Sequence, residues 1–179
     1  MAAARRAAGA SIRAIRPCPR RTSRTPTSAG AAQWIDDTPG DYPWHLFVSF
    51  VGPHNPFDPP TEYAERYRGA DMPEPVPPDE DDANKPEWLR DKAAGMAKRG
   101  RTPEQIAEAR RQYSAACEQI DDEVGRIPDA LDRRGTREYT YIIFASDHGE
   151  MLGDHGLYQK SVPYKASARV PLIVAGPGH

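Results

Sequence analysis

Three stretches of the sequence, HLFVSFV (45–51), YTYIIFA (139–145) and VPLIVAG (170–176), are apolar almost without interruption. A strand with one wet face alternates polar and apolar residues, whereas a continuous apolar run has two faces to bury. Each run is far shorter than the ~20 residues needed to cross a bilayer, so all three are read as strands and no membrane segment is expected. Helical patterns lie between them. That order predicts an α/β fold, a mostly parallel sheet sandwiched by helices. In such sheets ligands sit beyond the C-terminal ends of the strands.

The longest helical pattern opens at Thr102. Pro103 fits the first helical position, and Gln105 completes a capping box with the threonine. Ile106, Ala109, Tyr113, Cys117, Ile120, Val124, Ile127 and Leu131 follow at three- and four-residue steps, giving one apolar stripe that ends at Gly135. Pro128 sits inside the pattern and predicts a kink or a break. TEYAERYR (61–68) reads as a short helix capped by Thr61, and EWLRDKAAGMAKR (87–99) as another. The segment 69–86 is acidic and proline-rich, and is expected to be an exposed loop. Trp44, Phe47, Phe50, Tyr141 and Phe144 are expected in the core.

Residues 1–32 carry seven arginines and no acid, and lack the apolar centre of a secretory signal. They are read as a disordered Arg/Ala-rich tail, with a transit peptide and a basic nucleic-acid arm as alternatives. The tail has no aromatic residue on which a base would stack. The remainder holds 17 basic and 26 acidic side chains, so nucleic acid is not an expected partner. Two cysteines make neither a disulfide framework nor a metal cluster.

Chemistry concentrates in SDHGEMLGDHGLYQK (146–160), directly after the second strand run. Asp147 and His148, a carboxylate beside an imidazole, suit one divalent cation; the alternative is a solvated turn. Lys160 offers a compact charge to an anionic oxygen, or is a surface lysine. His54 stands on the stiff GPHNPFDPP loop (52–60) that leaves the first run, and is either an oxyanion donor or a loop histidine without a task. The repeat Asp154-His155-Gly156 is read as a turn or a support, with Asp154 or Glu150 hydrogen-bonding nearby groups.

Taken together, HLFVSFVGPHNPFDPP, YSAACEQIDDEVGRIPDAL, YTYIIFASDHGEMLGDHGLYQK and RVPLIVAGPG resemble the sulfatase family of the alkaline-phosphatase superfamily, over roughly residues 33–179. The resemblance implies the alkaline-phosphatase-like fold and hydrolysis of a sulfate ester, on a sulfated small molecule or carbohydrate. It implies Asp147 and His148 as metal ligands, for calcium or, given the imidazole, manganese. It implies Lys160 and His54 as the groups that contact the sulfate and the leaving oxygen.

Two family features are not matched. The formylglycine nucleophile arises from Cys or Ser in a Cys/Ser-x-Pro-x-Arg motif. CPRRT at Cys18 has Arg20 in the proline position, and SVPYK at Ser161 has Lys165 in the arginine position. The two strand-end aspartates that complete the family's metal site have no counterpart, because Asp121 and Asp122 fall in the long helical pattern. The expectation is therefore an incomplete catalytic domain, inactive alone. A phosphodiester or phosphonate monoester hydrolase of the same superfamily, and a non-catalytic interaction module, are the alternatives.

Overall fold

The computed structural model describes residues 27–40, 43–78 and 84–178. Most of the Arg-rich segment lies outside the described residues. From Thr27 onward the chain is already helical, in α1 (Thr27–Asp37).

Helix α4 (Pro103–Arg134) is the spine of the molecule. Its start is the expected capping box: Gln105 N–H donates to the Thr102 hydroxyl at 3.3 Å, and Thr102 N–H donates to Gln105 Oε1 at 3.0 Å. Gly135, at φ 69°, ends it in the left-handed conformation. Both ends thereby satisfy backbone groups that a helix leaves without partners. The expected break at Pro128 does not occur, and α4 continues through it as one element. The packing of α1 along this part of the helix offsets the lost backbone bond. The Ser28 hydroxyl bonds to the Glu123 carboxylate, Arg133 meets Asp36 at 3.1 Å, and Arg134 donates to the carbonyls of Ile35 and Thr38. Ile35, Ala130 and Leu131 form the core between the two helices, with Trp34, Trp44 and Leu46 against it.

Helix α2 (Thr61–Arg66) docks on the middle of α4 through Tyr63–Asp122 and Arg66–Glu118 bonds. Thr61 is not its cap. Pro60 holds that position and its carbonyl accepts the Tyr63 and Ala64 N–H groups. Helix α3 (Glu87–Ala97) contributes Leu89 to a second core with Met151, Leu157 and Val162. Met151 and Leu157 bring the charged loop singled out in the sequence into that core. The acidic segment is less free than expected: Val76 bonds to Asp154 and His155, and Pro73 to Arg110.

The sheet departs from expectation. Strands β1 (Ile142–Ala145) and β2 (Leu172–Ala175) pair antiparallel, with Ile142 opposite Ala175 and Ala145 opposite Leu172. The run 45–51 forms no strand, since it has no ladder partner among the described residues. Continuous apolarity marks a run for burial on both faces but does not fix its direction, and here Ile143, Leu172 and Ile173 remain exposed. Phe47 and Tyr141, expected in the core, are exposed as well. No described helix is long and apolar enough to cross a membrane.

Candidate active site

The charged loop begins where β1 ends. Asp147 caps its own turn: its Oδ1 accepts the His148 N–H at 2.9 Å. The His148 ring lies with Nδ1 2.8 Å from the Gly149 carbonyl, so Nδ1–H donates there and the lone pair rests on Nε2. This Nε2 is 3.6 Å from Asp147 Oδ2, and the aspartate side chain is 85% exposed. A carboxylate oxygen and an imidazole nitrogen at that spacing fit two positions on a single divalent cation. No group of three or more metal-ligating side chains occurs among the described residues.

Gly149 is required for a reason other than a turn. A Cβ at this position would lie 2.0 Å from the Ala166 carbonyl oxygen. The close approach lets Gly149 N–H donate to the Ser167 carbonyl at 2.8 Å, tying the loop to α5 (Lys165–Ala168).

Beyond Gly149 the chain closes on itself. Met151 N–H donates to Gln159 O at 3.0 Å and Gly153 N–H to Leu157 O at 2.8 Å, while the Glu150 carboxylate accepts the Gln159 N–H. Leu152, His155, Gln159 and Ser161 all have positive φ, between 47° and 70°. Such conformations are costly for residues with a Cβ and persist only where surroundings impose them. Here Met151, Leu157 and Val162 are buried beneath the loop. Arg110, on α4, donates to Leu152 O at 3.0 Å and to Asp154 Oδ1 at 2.5 Å. The second triplet is structural: Asp154 is held by Arg110 and Val76, and the His155 ring stacks on Tyr164 at 4.1 Å.

Lys160 leaves the base of this closed loop, and its carbonyl accepts from Lys92 Nζ of α3 at 2.6 Å. Its own Nζ reaches His54 Nε2 at 2.7 Å. His54 Nδ1 lies 2.7 Å from the Asn55 carbonyl, so Nδ1–H donates there and Nε2 accepts from the lysine. The His54 loop is seated on α4 through Gly52, which packs on Ile120, and through Phe57, whose ring meets Tyr113 edge-on at 5.4 Å. Burial, with Cys117 and Glu150 adding to it, pushes the Tyr113 phenol up to about 12. Tyr113 thus joins α4 to the loop that bears His54.

The arrangement is two pairs, Asp147–His148 and His54–Lys160, linked by the backbone bonds at 149–151 and 159. The Sulfatase family model matches residues 11–179. The chain belongs to the sulfatase family.

Among curated sulfatases, the Clostridium perfringens arylsulfatase is 38% identical over 141 residues, which is 76% of this chain and 28% of that protein. The Rhizobium meliloti choline-sulfatase is 36% identical over 140 residues, 76% of this chain and 27% of that protein. The chain therefore spans under a third of these relatives. Among solved structures, the Agrobacterium radiobacter phosphonate monoester hydrolase matches at a TM-score of 0.67 and 28% identity, over 85% of this chain and 33% of that one. The alkaline-phosphatase-like α/β class holds, as a partial domain containing helices and a small sheet.

Arg110 and Lys92 lie outside the segments that carry the sulfatase resemblance, and Tyr113 opens one of them, where it reads only as part of the apolar stripe. Arg110 and Tyr113 share a helix face with Ile106 and Cys117, at three- and four-residue steps. A charged side chain on an otherwise apolar face was the available signal for Arg110. Nothing in the local sequence marks Lys92.

Proposed function

We propose that this chain carries the leaving-group side of a sulfatase active site and part of its metal site, within a catalytic segment covering 33–179. The supporting observation is the 2.7 Å contact between Lys160 Nζ and His54 Nε2. An ammonium and an imidazole from distant segments converge where two donors are needed for an anionic ester. Charge that develops on sulfuryl and leaving oxygens is best met by donors already in position. Lys160 contacts the sulfate and delivers a proton to the leaving alcohol oxygen; with the lysine turned to the sulfate, His54 takes the Nε2–H tautomer and hydrogen-bonds the ester. Asp147 and His148 would hold a divalent cation, calcium or manganese, which when bound neutralises sulfate charge. The substrate class is a sulfated small molecule or carbohydrate.

Calorimetric titration tests the metal half. Calcium or manganese binds the chain weakly, as two protein ligands dictate, and Asp147→Asn or His148→Gln abolishes the binding. Heat evolved equally by both variants overturns the assignment. The purified chain alone is expected to release no sulfate from an aryl sulfate.

A phosphonate monoester hydrolase is the second reading, favoured by the likeness to the Agrobacterium radiobacter enzyme. Competition between sulfate and methylphosphonate for the Lys160 resonance separates the two.

A further inference from the structure

We propose that Arg110 is a positioning residue for the His54–Lys160 pair. The proposal rests on reading that pair as the anion-contacting groups. Contacts between exposed, flexible groups such as these are too weak to organise themselves, so the backbones beneath must hold the two side chains at the right separation. On the Lys160 side that backbone is the strained closed loop, with left-handed Leu152, His155 and Gln159 inside it and left-handed Ser161 directly after the lysine. Arg110, its side chain only 14% exposed, spends its planar fork on this loop: Nε on Leu152 O, Nη2 on Asp154 Oδ1, and Nη1 on Pro73 O at 3.0 Å. Leu152 adjoins the loop base, where Met151 and Gln159 pair and from which Lys160 departs. One turn along the same helix face, Tyr113 packs on Phe57 of the His54 loop. A single rigid face of α4 therefore sets the distance between the two loops. Lysine would be no substitute, because three acceptors in fixed directions match a guanidinium and not an ammonium.

The hydrogen bond to the His54 Nε2 lone pair reads this out. The Asn55 carbonyl holds the proton of the neutral ring on Nδ1, and Lys160 donates to Nε2. The test is nitrogen NMR of the labelled chain at alkaline pH. Lys160→Met sets the reference, moving the Nε2 resonance to that of a ring nitrogen with a free lone pair. Arg110→Met is expected to produce the same shift, and the double variant to add nothing. Arg126→Met, an exposed change on the same helix, leaves the wild-type Nε2 resonance. Should Arg110→Met lose helix content in circular dichroism, Asp154→Asn takes its place with the same expected shift. An Arg110→Met chain, or that substitute, with normal helix content and the wild-type Nε2 resonance overturns the proposal. Sulfate titration distinguishes the two readings: if sulfate leaves His54 and Lys160 unmoved while Arg110→Met shifts Nε2, the positioning role holds and the anion-site reading fails.

Discussion

Lys160 and His54 are 106 positions apart in sequence, yet the lysine Nζ and the imidazole Nε2 are 2.7 Å from each other. Neither segment is a strand or a long helix. Each is fastened independently to the same helix, α4, by Arg110 and by Tyr113 with Ile120.

Lys160→Met is expected to weaken sulfate binding by about tenfold or more, the scale of one lost charge-assisted bond at about 1.5–3 kcal/mol. Stability changes by less than ~1 kcal/mol, because the contact is exposed. Sulfate titration followed by NMR, together with thermal melting, checks both halves.

Gly149→Ala forces a methyl to within 2.0 Å of the Ala166 carbonyl oxygen. Backbone cannot yield as a side-chain tip can, so the loss falls at the upper end of the roughly 1–3 kcal/mol range for overpacking. Gly125→Ala in α4, with nothing within 4 Å of the added carbon, gains about 0.8–1 kcal/mol. Urea unfolding of the two variants should move in opposite directions.

Ser161 is exposed at φ 70°. Ser161→Gly releases the steric cost of that conformation, and a gain of about 1 kcal/mol is expected. A midpoint unchanged or lowered in denaturant would argue against strain in the loop.

Tyr113 predicts an alkaline limit. Its phenol is held up to about 12 by burial, whereas an unfolded tyrosine ionises near its ordinary value of 10. The folded state therefore binds its proton more tightly. Its contribution is complete below about pH 10 and is lost as pH rises towards about 12. Tyr113→Phe costs about 1 kcal/mol at neutral pH for the lost hydrogen bond to Cys117, and it removes this part of the alkaline decline. Chemical denaturation across that pH window measures both.

The β1–β2 ribbon exposes Ile143, Leu172, Ile173 and Val174. Exposed apolar strands with open edges template further pairing, so light scattering should show concentration-dependent association. Ile173→Lys is expected to reduce it.

Much of the local structure was legible. The capping box at Thr102, the stop at Gly135 and the strands at 142–145 and 172–175 follow from short-range rules about caps and apolar runs. Strand direction was not, because apolar continuity carries no orientation. The exposure of Phe47 and Tyr141 was equally hidden, since burial depends on what packs against a run. At the candidate site, residue type alone left Asp147, His148, Lys160 and His54 open to a plain turn or surface reading, and only the family resemblance of their segments singled them out. Arg110 was obscured because its three acceptors are backbone and loop groups, all more than 35 positions away.

Gly149 N–H is bonded to Ser167, and the Ala166 carbonyl occupies the space of its missing side chain. The segments 147–149 and 164–168 are consequently welded and travel as one unit. A displacement of either segment therefore carries the other with it, and the aspartate–histidine couple keeps its place against α5.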